Sequence, residues 1–78
     1  MTAATYGQQF TMAIRREYAP LRHAKKILAR MSDGSTRAAE TWLAGEHAPR
    51  LDQAIMLAAR CPKLRAELIR LIDDAGAQ

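Results

Sequence analysis

Valine is absent from this 78-residue chain, and Trp, Phe and Tyr together supply only four side chains. Strand formers are therefore scarce, whereas alanine, leucine, arginine and methionine, which favour helix, dominate. A β-rich fold is excluded on that ground. Cys61 is the single cysteine, so no intramolecular disulfide can form, and with two isolated histidines it supplies no zinc site. A reduced, cytoplasmic setting is expected, with no metal and no cofactor. No apolar run approaches the ~20 residues of a membrane helix. The start, Met1 to Ala4, has neither the charged end nor the apolar stretch of a signal peptide.

What remains is the composition of one small globular domain over residues 1–78: 49 % apolar against 26 % charged is too apolar for a disordered chain. A domain this short buries only about 60 % of its unfolded surface. Association with a second copy is a common supplement. The net charge of +4 is unevenly spread. Residues 21–50 hold Arg22, Lys25, Lys26, Arg30, Arg37 and Arg50 against Asp33, Glu40 and Glu46, whereas residues 51–78 carry four bases and four acids. An excess in the middle third suits a polyanion partner.

Punctuation cuts the chain into four to five short helices. Tyr6, Phe10, Ile14 and Tyr18 recur every fourth residue in a first helix from about Thr5, ended by Ala19-Pro20. A second, about Leu21 to Met31, sets Leu21, Ala24, Ile27 and Leu28 opposite Arg22, Lys25 and Lys26. Ser32-Asp33-Gly34 signals a turn, and Ser35 an N-cap. The third helix spans Thr36 to Ala44 and stops at Gly45. A fourth covers about Arg50 to Arg60 and contains Leu51, Ala54, Ile55, Leu57 and Ala58. Pro62 opens a fifth that reaches about Asp74 before a frayed tail. Met12, Met31 and Met56 read as flexible core filler.

Function concentrates between Ala29 and Pro49. Ala29 and Ala39 are small enough to let two helices cross closely, and Trp42 closes the joint. The other side of the third helix then carries Thr36, Arg37, Glu40 and Thr41. That short polar edge can enter a major groove about 12 Å wide, where Arg pairs with guanine and Glu accepts from cytosine.

The stretch ARMSDGSTRAAETWLAGEHAP resembles the lambda-repressor-like (Cro/repressor type) helix-turn-helix family. The shared features are alanine at Ala29, a turn four residues later, the cap at Ser35, Trp42, Gly45 and Pro49. More narrowly it is similar to a phage- and mobile-element-type subset with the pattern S-P-R-T-A-x-x-W-x-x-G-x-x-x-P. The resemblance implies a motif over about residues 21–45, base reading by Thr36, Arg37, Glu40 and Thr41, and backbone contacts from Lys25, Lys26, Ser35, His47 and Arg50. The family has apolar residues where this chain has Ser32 and Gly34, and glycine at Asp33. A turn that is looser or one residue longer, with Met31 filling the gap, is therefore expected.

The expected function is sequence-specific binding of double-stranded DNA as a transcriptional regulator, a repressor of a phage, plasmid or integrative element. A homodimer through the last helix, at Leu68, Ile69 and Ile72, would read inverted half-sites. An enzyme is not expected, since no nucleophile–base pair, paired carboxylates or glycine loop is present. The competing reading is a protein-interaction module of the same fold, antiactivator or antitoxin-like, without DNA binding. An architectural nucleoid protein would need more bases or a minor-groove wedge.

Overall fold

The computed structural model describes residues 3–78, and the described chain is a bundle of five helices without a strand: α1 Ala3–Tyr18, α2 Ala24–Ser32, α3 Thr36–Ala44, α4 Leu51–Arg60 and α5 Pro62–Gly76. Each helix is amphipathic, and their apolar faces converge on one core. Ile14, Leu28, Leu57 and Leu64 are fully buried there, with Phe10, Ala39, Trp42 and Leu71 around them. Trp42 thus stands in the core on α3, which packs against α1 and α2. No helix among the described residues is long and apolar enough to cross a membrane.

Three boundaries differ from the sequence reading by two or more residues, the first being the start of α1 at Ala3 rather than about Thr5. α2 begins at Ala24, three residues later than expected. Pro20 sends the chain into a turn, closed by the Leu21 amide on the Tyr18 carbonyl at 3.0 Å, and His23 passes through the left-handed region (φ 58°) before the helix starts. Leu21 and Ile27 are consequently exposed, while Ala24 and Leu28 alone carry the buried side of the early helix. At the other end α5 runs on to Gly76. The Tyr6 hydroxyl donates to Asp74 Oδ2 at 3.2 Å, tying this last turn to α1, so Ala75 and Gly76 continue the helix rather than fray. Among the methionines, Met12 is 62 % exposed and no core filler. Met31 packs against the core as expected.

The turn between α2 and α3 is tight rather than loose. Asp33 adopts φ 54°, a left-handed conformation that Asp tolerates better than most residues. The Gly34 amide then donates to the Ala29 carbonyl at 2.9 Å and the Asp33 amide to Arg30 at 3.5 Å, a paired closure of the helix end. Ser32 fills the place of the expected apolar residue. It is 3 % exposed, and its hydroxyl donates to the Leu28 carbonyl at 2.8 Å, so burial leaves no orphaned group. α3 ends the same way: Gly45 at φ 75° lets the Glu46 amide reach Thr41 at 2.9 Å.

Candidate nucleic-acid interface

α2 packs more extensively against α3 than any other helix pair does. Ser35 caps α3, its Oγ accepting from the Ala38 amide at 3.1 Å. With Ala39 and Trp42 buried on the inner side, the helical repeat turns Thr36, Arg37 and Glu40 to solvent, and Thr41 lies half-buried at the edge. The four residues expected to read bases therefore share one polar border of α3. Thr41 is already engaged, its Oγ1 donating to the Ala38 carbonyl at 2.6 Å. Ala29 and Ala39, the residues expected to form the joint, are both buried.

Lys25 stands in a different relation from the one expected. Its Nζ lies 2.9 Å from Glu40 Oε1, an ion pair joining the start of α2 to the middle of α3 with both side chains about half exposed. The hydrogen bond and charge of Lys25, with a smaller contribution from Arg37, hold the Glu40 carboxyl below the usual carboxylate range. One member of the expected phosphate pair is thus coupled to an expected base reader. Lys26, by contrast, is exposed and in no ion pair among the described residues, and the same holds for Arg22, Arg30 and Arg37.

The loop after α3 brings His47 and Arg50 to the far side of the same region. Both are exposed. They border an open cleft of about 520 Å³ that also touches Ser35, Thr41 and Gln53. The Arg50 amide donates to Gln53 Oε1 at 2.9 Å, which sets the start of α4, and its guanidinium lies 3.5 Å from Asp52. Arg15 is a neighbour the sequence did not announce. Its Nη1 would lie 3.0 Å from a Cβ placed on Gly45, and it borders a cleft of about 680 Å³ shared with His47. Helix periodicity cannot reveal that contact, because it joins α1 to a loop thirty residues away in the chain.

On α5 the three residues expected to pair with a second copy divide. Leu68 is packed against the core, whereas Ile69 and Ile72 are 51 % and 60 % exposed. No group of three or more potential metal ligands occurs among the described residues. Comparison with protein families, curated proteins and solved structures finds no match for this chain.

Proposed function

We propose that the α2–turn–α3 unit is a helix-turn-helix and that the chain is a sequence-specific DNA-binding transcriptional regulator, with α3 read into the major groove. The observation that carries this reading is the outer border of α3. It exposes Thr36, Arg37 and Glu40 on a short helix held rigid by a capped start and a closed turn, with the unpaired cations Lys26 and Arg30 on the adjoining helix. A fixed helix with a polar border is what direct readout requires, and flanking cations supply the sequence-independent attraction. His47, Arg50 and the amide ends of α3 and α4 border one cleft, which Asp33 and Asp52 also line, so the attraction for phosphate rests on the unpaired cations of α2 rather than on this cleft. Repression by covering a promoter of a mobile element is the regulatory role this small form suits.

The test is a binding titration against DNA selected from a random pool, and against DNA flanking the chain's own gene, with scrambled DNA as control and a salt series. Specific binding should exceed non-specific by about 10³-fold or more. Equal affinity for all duplexes would remove the readout. No binding to any duplex at low salt would favour the interaction module.

A further inference from the structure

Lys25 and Lys26 are adjacent on the first turn of α2, yet only one of them has a partner. Lys25 Nζ lies 2.9 Å from Glu40 Oε1 across the α2–α3 joint, with the two side chains 49 % and 54 % exposed. Of the four cations on and just before α2, Arg22, Lys25, Lys26 and Arg30, Lys25 alone is in an ion pair among the described residues. Glu40 Oε2 accepts from no group among them. Arg37, one turn earlier on α3, adds to the pull that keeps this carboxyl ionised. A half-exposed pair of this kind is weak, because water competes for both charges and two long side chains must be held in one geometry. It is too weak to fix either side chain firmly, and it can be exchanged at little cost.

We propose, resting on the DNA-binding reading above, that Glu40 withholds Lys25 from the phosphates of an arbitrary duplex and releases it on a duplex that offers the carboxylate a base amino group. The donors of the major groove are the N4 amino group of cytosine and the N6 amino group of adenine. Where one of these faces Glu40, it draws on the carboxylate's negative charge, loosens the hold on the ammonium, and lets Lys25 turn to a phosphate. Arg37 stays beside the carboxylate through that exchange. Where guanine or thymine faces Glu40, the carboxylate meets only acceptors and keeps Lys25, whose charge is then cancelled at close range. A phosphate contact, which by itself carries no sequence information, becomes conditional on a base. The pair thereby widens the gap between selected and random DNA. Lys26 has no such carboxylate and attracts every duplex alike.

The test is the salt dependence of binding to the selected duplex and to random DNA, for wild type, Lys25→Met, Glu40→Gln and the double variant. Both positions are exposed, so helical circular dichroism should be unchanged throughout. With Glu40 present, Lys25→Met should reduce the salt slope by about one on the selected duplex and leave it nearly unchanged on random DNA. With Gln at position 40, the same change should reduce the slope by about one on both. Glu40→Gln itself should tighten binding to random DNA by about 1.5- to 5-fold, and only where Lys25 is present. Lys26→Met supplies the response of a cation without a partner. Three results would overturn the coupling and leave the DNA reading standing: a Lys25→Met slope change equal on both duplexes with Glu40 present, no slope change on either, or a Glu40→Gln gain that persists without Lys25. A wild type that selects no duplex would remove the DNA reading, and the coupling with it.

Discussion

Arg37 and Glu40 lie one helical turn apart on α3 and meet opposite conditions. The Arg37 guanidinium has no ion-pair partner among the described residues, so its five donors are available to a ligand. Replacing it with Ala should cost about 1–3 kcal/mol on the selected DNA and far less on random DNA. Parallel titrations check this, and an equal loss on both would assign it to phosphate. Glu40 is held by Lys25, and exposed pairs of this kind contribute little to stability. Because its folded pKa is depressed, that contribution is present above the usual value of 4.5 and is lost as pH falls through the lowered one. Thermal melts of wild type and Glu40→Gln should therefore differ near neutral pH and converge in acid. A difference that persists at pH well below the carboxylate range would mean that the charge of Glu40 is not its source.

Individual helices depend on their ends. α3 has nine residues, too few to be stable alone, and relies on its cap and on packing. Ser35→Ala removes the acceptor for the Ala38 amide and should destabilise by about 1 kcal/mol. Asp33→Gly should act in the opposite direction, by up to about 1 kcal/mol, because φ 54° carries a Cβ penalty that glycine lacks. Urea unfolding of both variants gives the two signs. A destabilised Asp33→Gly protein would show that the Asp side chain contributes more than its backbone costs. The caps at Ser35 and Gly45 and the start at Pro62 were legible in the sequence because capping is local chemistry. The start of α2 was not. Pro20 announces a break, but nothing within the segment says whether the chain resumes a helix at once or first reverses through His23.

In the molecule as a whole, Trp42 is the largest side chain of the shared core. A buried Trp→Ala change costs about 3–5 kcal/mol, a large part of what a domain of this size has in reserve. Trp42→Ala should lower the melting temperature steeply, and a variant that melts like wild type while failing to bind DNA would place the indole in the interface instead. Lys26 belongs to the long-range field rather than to the core. Its replacement by Ala should reduce the salt slope of DNA binding by about one, alike for all sequences, whereas an unchanged slope would remove it from the phosphate contacts.

The all-helical class, five helices with the ends of four of them to within two residues, the burial of Ala29, Ala39 and Trp42, and the shared border of Thr36, Arg37 and Glu40 followed from the sequence alone. Periodicity, caps and helix breakers act over three or four residues, so they can be read without knowing the fold. Tertiary structure decided the rest. It coupled Lys25 to Glu40, laid Arg15 over Gly45, turned Leu68 inward, and left Leu51 and Ile55 of α4 uncovered. Each of these depends on which helix lies beside which. That choice is made by the packing of whole faces, and a single helix carries apolar residues without stating which neighbour, or which second copy, will cover them.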